Sequence, residues 1–78
     1  MDLIEKIARS MECQYQSDLH YVTAAPYQVN RINRLSETDF TLEEYNEAAE
    51  YILQRDVKFS SAAEAKQAII EYLRQEKK

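Results

Sequence analysis

Apolar residues in the second half of the chain recur every three or four positions, which is the spacing of helices that bury one side. The first of these runs begins at a capping box, TLEE at 41–44, in which threonine and glutamate can exchange hydrogen bonds with each other's backbone amides. Phe40 and Tyr45 flank this start in the positions of a hydrophobic staple. The pattern predicts a helix that ends near Arg55, with an apolar stripe of Leu42, Tyr45, Ala48, Ala49, Ile52 and Leu53.

The second run begins at SAAE, residues 61–64, which has the same capping-box spacing. It predicts a last helix with a buried stripe of Ala62, Ala65, Ala68, Ile69, Tyr72 and Leu73. Ile70 lies about 125° from the centre of that stripe when residues are placed 100° apart. We therefore interpret Ile70 as part of a second contact face, covered either by the N-terminal helix or by another copy of the chain in self-association.

Two shorter helices are predicted in the first half. Asp2 can cap a helix whose shared face carries Leu3, Ile4, Ile7, Ala8, Met11 and Tyr15. Pro26 suits the first position of a helix over 26–35, with a narrow apolar strip of Val29, Ile32 and Leu35. The connectors 19–23 and 56–59 have β-like residue choice. They could pair as a minor two-stranded ribbon, or lie as extended coil against the helices.

These elements predict one all-α domain over residues 1–78, with four short helices packed as a bundle or an orthogonal array. A composition of 45% hydrophobic and 31% charged residues is too apolar for a disordered chain. A domain of this size buries only about 60% of the surface that its unfolded chain exposes. Self-association is one way in which so small a core can be supplemented.

Glycine is absent from the chain, and its absence removes several kinds of site. Phosphate-binding loops and dinucleotide fingerprints need glycine where the backbone approaches the ligand, and an EF-hand needs it at a sharp turn. One histidine and one cysteine are too few for a typical tetrahedral zinc site. We expect no cofactor and no bound metal, and we expect helix connections without backbone strain.

Cys13 and His20 are the one pair that suggests a nucleophile and a base, with Asp18 as the available orienting group. We interpret both as structural, because they lie seven residues apart across a predicted helix end. The many carboxylates crowd an exposed helical face, whereas general-acid catalysis needs a poorly solvated carboxyl. The chain is therefore predicted to have no catalytic residue and not to be an enzyme.

The single cysteine cannot form an internal disulfide, and residues 1–6 are too charged for a secretory signal. No apolar stretch approaches the roughly 20 residues that span a bilayer. These features predict a cytoplasmic protein without a membrane partner. The net charge of −4 argues against a surface devoted to polyanions, although it leaves local basic patches open.

Charge is segregated along the chain: residues 19–36 contain no acid, and residues 35–54 contain no base. The side of helix 26–35 opposite its apolar strip carries Tyr27, Asn30, Arg31 and Arg34. Tyrosine and arginine are enriched at protein-interface hot spots. Asparagine and arginine also read base edges, and tyrosine can stack on an unpaired base. A third interpretation is a solvated helix whose arginines pair with the neighbouring acidic helix.

That acidic helix presents Glu43, Glu44, Glu47, Glu50 and Tyr51 on its predicted outer side. A solvated face is the ordinary explanation. The stripe could also mimic phosphate spacing in the groove of a basic partner, or meet Arg31 and Arg34 of a second copy in a homodimer. The arrangement does not fit a helix-turn-helix: the helix that follows the short turn is acidic and phosphates would repel it, and the link before helix 26–35, about ten residues, is too long for the turn of that motif.

The leading hypothesis is a small intracellular interaction module, such as a regulator, adaptor or inhibitor, that contacts another protein. The first candidate contact is Tyr27, Asn30, Arg31 and Arg34, and the second is Glu43, Glu47, Glu50 and Tyr51. The alternative hypothesis is a single-stranded nucleic-acid-binding protein that uses the tyrosine and arginines of helix 26–35.

Overall fold

A computed structural model describes residues 2–36 and 38–75. Within them the chain forms four α-helices: α1 (Leu3–Ser10), α2 (Pro26–Asn33), α3 (Leu42–Leu53) and α4 (Ala62–Arg74). A short 3-10 helix, Gln16–His20, lies between α1 and α2. The described residues contain no strand, so the prediction of an all-α fold is confirmed.

The alternative of a two-stranded ribbon is not realised in the described part of the chain. Segment 19–23 begins inside the 3-10 helix, and segment 56–59 is coil. In segment 56–59 the Phe59 amide donates to Asn46 Oδ1 of α3 at 2.8 Å. Directly after segment 19–23, the Ala24 amide donates to the Leu73 carbonyl of α4 at 2.6 Å. Both amides therefore pair with helices and not with a neighbouring strand.

The capping box predicted at the start of α3 is present in full. Thr41 Oγ1 accepts from the Glu44 amide at 3.1 Å, and Glu44 Oε1 accepts from the Thr41 amide at 2.9 Å. The rings of Phe40 and Tyr45 meet edge to face with centroids 6.3 Å apart, which is the predicted staple contact. These interactions satisfy amides that have no partner inside the helix.

Only half of the capping box predicted at α4 is formed. Ser61 Oγ accepts from the Glu64 amide at 3.2 Å, as predicted. The Glu64 carboxylate, however, accepts from the amide and hydroxyl of Ser60, at 3.3 and 3.0 Å, and not from Ser61. The reciprocal bond has therefore moved one residue towards the N-terminus, where it holds the chain entering the helix.

Two connections use a left-handed backbone although the chain has no glycine to supply it. Gln54, which follows α3, has φ 58° and ψ 40°, and Glu12, which follows α1, has φ 60°. Such a conformation costs a residue with a β-carbon about 1–2 kcal/mol. The expectation of unstrained connections was therefore wrong at these two positions, where the chain must reverse sharply.

α1 and α4 each pack against both α2 and α3, so α2 and α3 occupy opposite corners of the bundle. The 3-10 helix packs against α1 and α3. Apolar side chains from all five segments meet in one core, whose largest fully buried members are Tyr45, Leu3, Ile7, Leu19, Ile32, Ile52, Ile69, Ile70 and Leu73. The outer faces of α2 and α3 consequently point away from each other.

The predicted stripes were partly wrong at their ends. Tyr15 is 63% exposed, because α1 ends at Ser10 and the chain turns away before Tyr15. Leu42 is 39% exposed at the first position of α3. The centre of the α3 stripe is buried as predicted, at Tyr45, Ala48, Ala49 and Ile52.

Ile70 requires a clear correction, since it is 2% exposed. It follows Lys66 by four residues and so lies on the same side of α4, the side on which the Lys66 ammonium reaches the end of α2. α4 is thus covered by α3 and by α2 within one chain. Of the two coverings that the sequence left open, the one by another copy was wrong, because Ile70 is already buried within one chain.

Candidate functional site

The outer side of α2 is the surface that the sequence singled out, and its four residues are all exposed: Tyr27, Asn30, Arg31 and Arg34. We call these four residues the α2 face. Tyr27 is 51% exposed, although tyrosine has a large apolar ring. The helix starts at Pro26, and the Gln28 side chain accepts from the Ala25 amide at 2.9 Å, so a glutamine takes part in capping it.

Tyr27 and Arg31 are joined by an acid that the sequence interpretation missed. The Tyr27 hydroxyl donates to Glu12 Oε1 at 2.5 Å, and Arg31 Nη1 lies 3.7 Å from the same oxygen. The Arg31 guanidinium also lies over the Tyr27 ring, 5.2 Å from its centroid. We call Tyr27, Arg31 and Glu12 the Tyr27 cluster.

The Tyr27 cluster has a defined electrostatic consequence. The hydrogen bond to Glu12 raises the pKa of Tyr27 above its ordinary value, with smaller contributions from burial and from the Glu12 charge, while Arg31 opposes the shift. The phenol thus remains protonated and continues to donate to the carboxylate. The Arg31 and Glu12 side chains are 51% and 54% exposed, so water screens their attraction.

A buried glutamine ties α2 to the end of α1 beneath this cluster. Gln28 is only 9% exposed, and its Nε2 donates to the Met11 carbonyl at 3.1 Å. The same nitrogen lies 3.5 Å from Glu12 Oε1. Because a buried amide must find partners, the register of α2 against α1 is specified by these bonds.

A buried lysine holds the other end of α2. Lys66 of α4 is 8% exposed, and its ammonium donates to the carbonyls of Asn33 at 3.1 Å and of Leu35 at 3.0 Å. The last carbonyls of a helix have no partner inside it, and a cation there also complements the helix dipole. Hydrogen bonds made by Gln28 and by Lys66 therefore hold α2 against the rest of the bundle at both of its ends.

The sequence suggested that the arginines of α2 pair with the acidic residues of α3, but Arg31 makes a different ion pair. Arg31 pairs with Glu12, from the connection after α1, and not with the acidic side of α3. Within residues 2–36 and 38–75 no ion pair is recorded for Arg34. Glu12 could not have been found from spacing, because it lies 15 residues before Tyr27 and meets it only through the packing of α1 on α2.

The second predicted surface, on α3, is only partly presented to solvent. Glu43 and Glu47 are exposed, whereas Glu50 and Tyr51 are partly buried. The Tyr51 ring lies 4.8 Å from the His20 ring, and the Tyr51 carbonyl accepts from His20 Nε2 at 2.8 Å. Tyr51 thus packs against the 3-10 helix, so this member of the second candidate contact already has a partner within the chain.

Cys13 and His20 have structural partners that explain them. Because a carbonyl only accepts, His20 Nε2 must carry the proton in its bond to Tyr51. Burial raises the pKa of the Cys13 thiol, and the negative charge of Asp18 raises it further. A thiol held protonated is a poor nucleophile. No cluster of potential metal ligands occurs among the residues that the structure describes.

A shallow groove of about 280 Å³ adjoins the α2 face at its N-terminal end. Its lining residues are Ala24, Pro26, Val29, Asn30 and Arg74, so α2 and the end of α4 form its two walls. The bond from the Ala24 amide to the Leu73 carbonyl joins these walls. Asn30 belongs both to the groove and to the α2 face, which makes the two features continuous.

Comparisons with family models, with curated proteins and with solved structures found no match to this chain. In the described part of the chain, no helix has both the length and the apolar character that crossing a bilayer requires.

Proposed function

We propose that the protein is a small, non-enzymatic interaction module that binds another protein through the α2 face. The observation that carries this proposal is the Tyr27 cluster: an exposed tyrosine and an exposed arginine are stacked and held by one carboxylate. Tyrosine and arginine are the residue types that dominate binding energy at protein interfaces. A regulator, adaptor or inhibitor would use such a surface.

Preorganisation supports the same proposal. Gln28 fixes one end of α2 and Lys66 fixes the other, so the helix does not need to order when a partner arrives. Immobilising a flexible side chain on binding costs about 0.5–1.5 kcal/mol. The contacts of Arg31 with Glu12 and Tyr27 restrict that side chain before any partner binds, which lowers this cost.

The alternative of single-stranded nucleic acid is less well supported by the site. Glu12 places a carboxylate beside Arg31, so the one arginine that stacks with Tyr27 is already paired with an acid and has less attraction for a phosphate beside a stacked base. A mixed tyrosine, arginine and glutamate surface is better suited to a protein partner. A labelled oligonucleotide titrated at low salt separates the two hypotheses, because electrostatic binding is strongest there.

Two further aspects of the proposal rest on the cysteine. The raised pKa of Cys13 and the engagement of His20 with Tyr51 argue against nucleophilic catalysis. Free cysteines persist in reducing compartments, and on this ground we propose a cytoplasmic location.

Site-specific photocrosslinking tests the proposed surface. Asn30 is replaced with a benzophenone amino acid in one protein, and Glu43, on α3, is replaced in a second. We expect a discrete adduct with another protein from Asn30 and none from Glu43, since the two positions lie on helices at opposite corners of the bundle.

Competition defines whether that adduct depends on the α2 face. Unlabelled wild-type protein should suppress the adduct, whereas an Arg31→Ala and Arg34→Ala double variant should not. The matched control is Arg9→Ala with Arg55→Ala, which removes the same charge from exposed positions elsewhere and should compete like the wild type. An adduct from Glu43 alone would instead favour the acidic surface, and no adduct from either position would defeat the proposal.

A further inference from the structure

We infer that the partner of the α2 face is an acidic segment carrying an apolar side chain, and that this side chain enters the groove between α2 and α4. The inference rests on the proposed function and names the chemical class of the partner. It follows from the shape of the groove, from the cations around it and from the arrangement of the helices.

The groove has an apolar floor and a fixed shape. Ala24, Pro26 and Val29 supply the apolar lining, and the volume of about 280 Å³ is enough for a branched aliphatic side chain. Its walls are joined by two hydrogen bonds: the Ala24 amide donates to the Leu73 carbonyl at 2.6 Å, and the Thr23 hydroxyl donates to the Gln75 carbonyl at 3.1 Å. Removing an apolar side chain from water in this groove would favour binding.

One cation lines the groove and a second lies near it, and neither forms a salt bridge within the described part of the chain. Arg74 lines the groove directly, and Arg34 lies one helical turn beyond Asn30 on the α2 face. Glu71 precedes Arg74 by three residues and lines a neighbouring depression together with Arg74 and Gln75, but within the described residues no salt bridge joins Glu71 to Arg74. A ligand that places carboxylates on either side of its apolar anchor would complement both arginines.

The arrangement of the helices argues that this ligand is a different protein and not a second copy of the chain. The acidic residues Glu43 and Glu47 lie on α3, at the corner of the bundle opposite α2. A contact between α2 of one copy and α3 of the next would be head-to-tail, and such contacts build rings or filaments instead of closed dimers.

The inference is tested with a synthetic helical peptide of about 16 residues, a length near the minimum for a stable isolated helix. The labelled peptide contains alanine, glutamine and glutamate, with a pair of leucines spaced one turn apart. One control peptide replaces the leucines with glutamine, and a second replaces the glutamates with lysine. Fluorescence anisotropy reports binding at about 20 mM and about 150 mM salt, where screening differs.

We expect saturable binding of the acidic leucine peptide, weakened about tenfold by the Arg34→Glu and Arg74→Glu double variant. The matched control is the Arg9→Glu and Arg55→Glu double variant, which has the same net charge and should bind within about twofold of the wild type. Circular dichroism of each variant checks that the helices are retained. The lysine peptide should not bind.

Several results would overturn the inference. Equal binding of the leucine-free peptide would show that the groove is not used, and equal weakening by the control variant would show that only bulk charge matters. A dimer that forms with rising concentration and is lost in Arg34→Glu would identify a second copy as the occupant. If the peptide fails to bind up to about 1 mM while Asn30 still gives its crosslink, the partner chemistry is wrong and the proposed function stands.

Discussion

Replacing Lys66 with methionine should destabilise the protein strongly, although methionine is about as long as lysine and also has a flexible apolar stem. The Lys66 ammonium donates to the carbonyls of Asn33 and Leu35 at 3.1 and 3.0 Å, and the residue is 8% exposed. Hydrogen bonds from a charged donor contribute about 1.5–3 kcal/mol each, so these two account for about 3–6 kcal/mol. Part of this loss in stability is offset, because the folded protein no longer has to remove the lysine charge from water.

The expected net loss in the free energy of unfolding is therefore about 2–4 kcal/mol, which would lower the melting temperature of a domain of this size by about 10–25 °C. Urea unfolding followed by circular dichroism at 222 nm measures this loss, with the slope against denaturant unchanged. Lys58→Met is the matched control, because Lys58 is exposed and its loss should change stability by no more than about 0.5 kcal/mol.

A Lys66→Met protein as stable as the Lys58→Met control would refute the reasoning. It would mean that the two carbonyls find water or other donors without cost, and that the lysine does not fasten α2. The same variant would then be expected to retain the α2 face in its native position.

Three further outcomes follow from the structure. Ile70→Ala should lower the free energy of unfolding by about 2–4 kcal/mol, because Ile70 is buried within one chain. The milder Ile70→Val variant should sediment like the wild type, because Ile70 does not contact a second copy. The Cys13 thiol should react with alkylating reagents at a higher pH in the folded than in the unfolded protein; Asp18→Asn should reduce that difference without removing it, because burial is its larger cause. Since the folded thiol has the raised pKa, its contribution to stability is present below the unfolded pKa and disappears as the pH rises through the folded pKa. Glu12→Gln should lower the pKa of the Tyr27 phenol towards its ordinary value, as measured by NMR of the labelled ring, and an unchanged pKa would exclude Glu12 as the cause.

Helix positions could be predicted from the sequence because capping and periodicity are local properties. Thr41 and Glu44 are three residues apart, so their mutual bonds form in any context in which the helix forms. The exposed side of α2 was predictable for the same reason, since its four residues lie on one face of a single helix. Helical spacing also predicted correctly which residues at the centre of α3 are buried.

Four helices, the residue at which each of them begins and the side of α2 that carries tyrosine and arginine can all be read from the amino-acid sequence. The contact of Glu12 with Tyr27 and Arg31, the bonds from Lys66 to the end of α2 and the burial of Ile70 become visible only when the helices are packed together. Periodicity and capping relate residues that are close together in sequence, within a few helical turns. Lys66 and Leu35 are 31 positions apart, and they meet only because α4 packs on α2.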